Sequence, residues 1–170
     1  VTFKGQITWK PSDHVHVYAQ YSEGFRSGGV NAQITPTIPP SYEPDTATST
    51  ELGIKTNWMD RRLFANIYFY EFVWQNLQMG AAFTGQFNGM VNCTEQKDPA
   101  KSNGWEAEIT FAATESITVG ANYTGMNARW TVDPQTCLTP ALLATLSDPI
   151  GGFDGQNLVG VPDDSGSAFV

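Results

Sequence analysis

Nearly every segment of the sequence alternates apolar and polar residues with a period of two, a pattern few structures other than β-strands can use. Phe3, Ile7 and Trp9 oppose Lys4, Gln6 and Thr8, and Val15, Val17, Ala19 and Tyr21 oppose His16, Tyr18 and Gln20. Leu52, Ile54 and Trp58 oppose Glu51, Lys55 and Asn57. Further on, Trp105, Ala107, Ile109 and Phe111 oppose Glu106, Glu108 and Thr110, and Ile117, Val119, Ala121 and Tyr123 oppose Thr118, Gly120, Asn122 and Thr124. Successive side chains of a strand point to opposite faces, so the pattern describes a sheet with one apolar and one polar surface. Only the run from Leu63 to Asn76 is apolar on both faces and leaves its orientation open. It also reads as one uninterrupted strand, more than twice the usual length of about 5–6 residues in soluble sheets. A tilted membrane crossing takes about 9–11 residues.

The connections alternate as well. Lys10-Pro11-Ser12-Asp13, Met59-Asp60-Arg61 and Ala113-Thr114-Glu115 have tight-turn composition. Between them lie three long stretches rich in Gly, Pro, Asn and Thr: Arg26 to Ala47, Met79 to Asn103 and Asp133 to Gln156. Short turns at one end and long loops at the other are the pattern of outer-membrane barrels. The expected fold is therefore all-β, an antiparallel meander forming part of a transmembrane β-barrel. Six strands are expected near residues 1–10, 14–26, 48–59, 62–78, 103–113 and 116–132, with a possible seventh after Leu158. Ile7, Val17, Leu52, Ile54, Ile109, Phe111, Ile117 and Val119 should share one convex, lipid-facing surface. Trp9 and Trp58 at the short turns, with Tyr21 and Tyr123 toward the long loops, would supply aromatic belts.

Charge and cysteine content narrow the function. Nine Lys+Arg against 17 Asp+Glu give a net charge of -8, which provides no basic stripe for nucleic acid. No stretch approaches the roughly 18 apolar residues of a membrane helix. Cys93 and Cys137 fall in the long loops, where they either form a disulfide or stay reduced. The start inside a strand reads as a portion of a longer chain.

Several blocks match a known order of motifs. Tyr18, Tyr21, Ser22, Gly24, Phe25 and Arg26, followed by Gly28, Gly29 and Asn31, form a strand climbing into a long loop. Tyr42, Pro44 and Asp45 form a turn leading to a strand with Glu51, Gly53 and Lys55. Asn66 and Tyr70 follow, then Gln75 and Leu77-Gln78, then Gly104, Glu106 and Glu108, then Leu158-Val159-Gly160-Val161-Pro162. In order and spacing this resembles the C-terminal part of the β-barrel of TonB-dependent outer-membrane receptors. The stretch from Asn92 to Lys101 departs from the family pattern, being longer and containing Cys93.

The resemblance implies an outer-membrane receptor for energy-coupled uptake of a scarce ligand, whether siderophore, vitamin or oligosaccharide. The whole of 1–170 would be a partial barrel domain without plug, TonB-contacting box or terminal strand. Its partners would be outer-membrane lipid, an extracellular small ligand and, through a missing N-terminal part, the inner-membrane TonB complex. It implies no enzyme and no cofactor. Arg26 and Asn31 are the candidate ligand-binding residues. A guanidinium can hold carboxylate or phosphate bidentately, but wall charges normally pair, and an acidic wall residue such as Glu23 or Glu51 is the more ordinary partner of Arg26.

Other signals are discounted on chemistry. His14 and His16 lack a third metal ligand, and Asp148, Asp163 and Asp164 lack calcium-loop spacing. Gly24 to Gly29 lacks the Lys-Ser/Thr of a phosphate loop, and no Gly-x-Ser-x-Gly elbow occurs. Glu106 and Glu108 are read as lumen carboxylates rather than a glycosidase pair. A diffusion porin wall and a soluble carbohydrate-binding sandwich are the competing readings. The sandwich would bury the apolar face against a second sheet.

Overall fold

The structure, a computed structural model, describes residues 2–32, 39–83, 87–93, 99–131, 140–144, 155–158 and 160–170. Seven strands form one antiparallel sheet in chain order: β1 (Lys4–Ser12), β2 (Val15–Arg26), β5 (Asp45–Trp58), β6 (Leu63–Gln75), β9 (Ala100–Ala112), β10 (Thr118–Trp130) and β11 (Asp164–Phe169). Each pairs with the next; tight turns demand it of β1–β2, β5–β6 and β9–β10, and the long loops join the other three pairs. β11 realises the seventh strand expected after Leu158. It follows a turn closed by the Val161 amide on the Leu158 carbonyl at 3.2 Å, with Gly160 at φ +80°.

Register places the alternation on two faces. Ile7, Ala19, Leu52, Phe69 and Trp105 fall on one row, and Val17, Ile54, Ile67, Ala107 and Tyr123 on another. The opposite face carries rows such as His16, Lys55, Asn66, Glu108 and Asn122. The orientation of β6 is thereby settled: Leu63, Ala65, Ile67 and Phe69 share the apolar face, and Asn66, Tyr68 and Tyr70 the polar one. Of the eight residues expected to face lipid, Ile7, Leu52, Ile54, Ile109 and Ile117 are exposed, and Val17, Phe111 and Val119 half-buried. Among the described residues no second sheet covers them. Water offers such a surface no stabilisation, whereas hydrocarbon does, and the lateral ladders satisfy the backbone in lipid. Trp9, Trp58, Tyr21 and Tyr123 are exposed as well.

The strand limits need four corrections. β1 begins at Lys4 rather than 1, and β6 ends at Gln75 rather than 78, since Asn76 turns to φ 54° and Gln78 opens a separate strand. β5 begins at Asp45 rather than 48, because Asp45 lies opposite Arg26 and their charges extend the ladder. β9 begins at Ala100 rather than 103, paired with both Trp74 and Trp130. Pro11 is accommodated where the β1–β2 register shifts between Trp9 and Ser12, a bulge in which a residue without an amide proton fits.

The loops need a larger correction. The first contains a short hairpin of β3 (Gly29–Val30) and β4 (Ser41–Tyr42), and the second a hairpin of β7 (Gln78–Phe83) and β8 (Phe87–Asn92). No strand was expected within either stretch, yet their described residues pair. In the third loop the described residues form the turn of helix α1 (Pro140–Leu143) and an Arg129–Asn157 bridge.

A candidate ligand-facing rim

Two glycines on the polar face explain how large side chains fit a closely packed wall. A Cβ on Gly53 would lie 2.4 Å from the Tyr18 ring, and one on Gly104 would lie 2.4 Å from the Gly125 carbonyl oxygen and 2.9 Å from the Tyr70 hydroxyl. Tyrosines of this face reach acidic partners, Tyr18 from over Gly53. Tyr18 donates to Glu51 and Tyr68 to Glu106, while Lys55 stands 5.2 Å above the Tyr18 ring. The sequence motifs Glu51-x-Gly53-x-Lys55 and Gly104-x-Glu106 are thus halves of cross-strand pairs. Glu106 and Glu108 meet Tyr68 and Asn66 in these pairs. His14 contacts the Trp58 ring at 5.7 Å and Asn57 at 3.3 Å.

At the long-loop end the chain is held by a different device. Asp45, 2% exposed, accepts from Arg26 Nε at 3.0 and 2.9 Å, from Arg26 Nη2, and from the Gln78 amide at 3.1 Å. One carboxylate thereby joins the end of β2, the start of β5 and the start of β7. Gln78 extends the joint, donating through Nε2 to the carbonyls of Ser27 and Glu43, each at 3.0 Å. Arg26 keeps 54% of its side chain exposed. Asp45 lies about 30 Å above Trp58 on a tilted strand, outside the apolar band of about 25 Å. Burial there acts to raise its carboxyl pKa. The hydrogen bonds from Arg26 and the Gln78 amide outweigh burial and hold it below the usual range.

Asn31, 6% exposed, is also fully engaged. Its Nδ2 donates to the carbonyls of Pro39 at 2.7 Å and Met90 at 3.0 Å, and its Oδ1 accepts from the Met90 amide at 2.7 Å. Asn92 repeats the arrangement. It donates to the carbonyls of Glu43 at 3.0 Å and Asn76 at 2.8 Å, and accepts from the Glu43 amide at 2.8 Å. Asn76, at φ 54°, donates to the Pro44 carbonyl at 2.8 Å. Four amide side chains therefore sew the β3–β4 and β7–β8 hairpins to each other and to the wall.

Between the hairpins lies a recess of about 500 Å³ lined by Val30, Asn31, Tyr42, Gly80, Ala81 and Met90, among others. Cys93, fully buried just past the end of β8, is disulfide-bonded, and its amide donates to the Leu77 carbonyl at 2.9 Å. Cys137 lies outside the described residues, as does most of the departing segment after Cys93.

The structure brings Arg26 and Asn31 to one rim, with Arg26 on Asp45 rather than Glu23 or Glu51. Sequence reading missed Asp45, Gln78 and Asn92 as a set. Asp45 did stand in the Tyr-x-Pro-Asp turn and Gln78 in the Leu-Gln pair. Asn92 was visible only as the start of the stretch that departs from the family pattern.

A model of the TonB-dependent receptor-like β-barrel matches residues 1–170. The chain belongs to the TonB-dependent receptor β-barrel family. Members of this family are transporters of the bacterial outer membrane rather than enzymes. Among solved structures, the siderophore receptor PiuA of Acinetobacter baumannii is similar over 98% of this chain and 23% of its own, at 17% identity and TM-score 0.68. The alcaligin outer-membrane receptor FauA of Bordetella pertussis matches 76% of this chain and 22% of its own, at 22% identity and TM-score 0.56. The pyoverdine receptor FpvA of Pseudomonas aeruginosa, solved with pyoverdine bound, matches 74% and 18%, at 24% identity and TM-score 0.55. The chain thus spans less than a quarter of each of these receptors, and the likeness is one of fold. No curated protein sequence matches the chain.

Proposed function

We propose that the chain is a wall and rim segment of a receptor that captures a siderophore and imports it with energy from the inner-membrane TonB complex. The recess between the two sewn hairpins carries this reading. It opens at the long-loop rim, and its lining mixes an aromatic, small residues and apolar side chains, as ligand sites do. The siderophore receptors among the structural neighbours support siderophore over vitamin or oligosaccharide. The plug and the TonB-contacting segment expected from the family would belong to other parts of the receptor.

Arg26 contributes as a partly exposed cation whose charge Asp45 already offsets, so its direct gain from an anionic ligand is small. Asn31 contributes by position, since both hydrogens of its amide nitrogen are already donated. Cys93 would bond to Cys137, tying the third loop to the second hairpin. Closing a loop of that span stabilises by about 4 kcal/mol in the chain-entropy account.

Ligand capture is the test. The full-length receptor with Gly80→Trp, which fills the recess, should lose iron-siderophore uptake by whole cells while retaining surface display. Unchanged uptake would remove the recess from the ligand path. Arg26→Ala should weaken binding only slightly, and a loss above about a hundredfold would make Arg26 a direct ligand contact. Non-reducing peptide mapping should recover Cys93 and Cys137 in one linked pair.

A further inference from the structure

The opposite end of the wall has a groove that ligand capture does not use. On the apolar face, beside the turns 59–62 and 113–117, lies a depression of about 490 Å³. Met59, Leu63, Ile109, Phe111, Val119 and Ala121 line it. Ala121 makes it possible: it stands in a row between Ile109 and Ala168, where a larger residue would fill the space.

The mouth of the groove is charged. Arg62 donates from Nε to the Ala112 carbonyl at 3.0 Å and from Nη2 to the Ala113 carbonyl at 2.6 Å, with its guanidinium 5.8 Å from the centre of the Phe111 ring. It is fixed where the apolar lining ends. Arg61 is exposed beside it, and Asp60 and Glu115 are exposed on the same two turns. The first turn is also strained. Met59, Asp60 and Arg61 sit consecutively at φ 55°, 54° and 67°, a left-handed run that costs non-glycine residues about 1 kcal/mol or more each. The Arg62 amide on the Met59 carbonyl at 3.1 Å and the Ala112 amide on the Arg62 carbonyl at 2.8 Å hold it. Such strain is kept where a particular presentation of side chains is used.

We propose that this groove binds one phospholipid of the leaflet next to the short turns, an ethanolamine phospholipid in particular. One acyl chain fills the apolar depression. The phosphate meets the guanidinium fork of Arg61 and the Nη1 side of Arg62, whose Nε and Nη2 hold the turn. The ammonium meets Asp60 or Glu115. An anionic headgroup would satisfy the arginines and be repelled by the two carboxylates. The proposal rests on the short turns facing the periplasm, which the family's architecture provides.

The test uses purified full-length receptor in mild detergent. It is loaded with an equimolar mixture of phosphatidylethanolamine and phosphatidylglycerol, and retained lipid is read by native mass spectrometry. Wild type should keep one ethanolamine lipid in excess. Arg61→Gln with Arg62→Gln should reduce that retention about tenfold, roughly what losing one charge-assisted hydrogen bond gives. Ala121→Phe should abolish retention without touching the arginines, and Ile7→Ala, elsewhere on the same face, should change nothing. Retention unaltered in Ala121→Phe would overturn the proposal, as would glycerol lipid kept as well as ethanolamine lipid. Because Arg62 also braces a turn, Arg61→Gln alone is the second variant should the double one misfold. Siderophore uptake by Ala121→Phe cells should equal that of wild type, so a failed lipid test and a failed capture test are separate results.

Discussion

The wall and the rim of this molecule are both antiparallel β-structure, yet they are specified in different ways. In the wall a repeating pattern does the specifying. One face is apolar, the other carries tyrosine, glutamate and lysine, and a slip of one residue would exchange the two faces on every strand. At the rim no repeat exists. The β3–β4 and β7–β8 hairpins are placed by Asp45, Gln78, Asn31 and Asn92, each reaching backbone groups far away in sequence. Away from the glycines that make room for a neighbour, such as Gly104, a pattern tolerates many single replacements, because neighbouring rows still agree. A joint made of four side chains does not, and that difference can be measured.

The largest expected effect is in the wall. Gly104→Ala would press a methyl against the Gly125 carbonyl oxygen at 2.4 Å, and backbone cannot swing aside as a side chain can. Overpacking of that kind costs about 3 kcal/mol, read as a lower urea midpoint for the full-length receptor in micelles. A change below about 0.5 kcal/mol would show that the wall yields more than its packing implies.

Asn31→Ala should be next and should stay local. Losing three hydrogen bonds and leaving the Met90 amide unpaired costs about 2 kcal/mol. Hydrogen exchange should quicken in both hairpins, leaving β5 and β6 unchanged. Equal acceleration in the wall would mean that rim and wall are one cooperative unit.

Acid should separate the regions with a smaller effect. The Asp45 carboxyl titrates below its ordinary value, so the stability it contributes is complete above about pH 4 and is lost as pH falls through the depressed value. The difference in rim exchange between wild type and Asp45→Asn should therefore persist at neutral pH and shrink in strong acid. A difference that instead grew with acid would reverse the assigned sign.

The smallest change is Tyr68→Phe. It removes the donor to Glu106 but keeps the ring, costing about 1 kcal/mol at most. Its exchange signature should be confined to β6 and β9.

The same contrast explains what could be read from sequence. The strands and their faces were legible because Ile7, Leu52, Ile109 and their polar alternates repeat every two residues. β6 hid its orientation because Phe72 and Trp74 continue the aromatic run on the polar face. The hairpins were illegible because residues such as Gly80, Ala81 and Gly89 carry no alternation. Their strand character comes from partners elsewhere, as with Asn31 on Met90, 59 positions away. Arg26 and Asn31 were found as conspicuous polar residues at a strand exit. That Arg26 meets Asp45 depends on β2–β5 register, which composition does not show.

The tyrosine lying over Gly53 has a consequence for descent. Any lineage acquiring a side chain at position 53 meets the Tyr18 ring at 2.4 Å, so replacement at 53 is open only after 18 has become smaller. The reverse order is the easier one, since shrinking Tyr18 first leaves a gap beside Gly53 and Glu51 without its donor, but no clash. Drift at these two positions should thus run in one direction, through a weakened intermediate. Descendants of this barrel would keep the pair together or lose the tyrosine before the glycine.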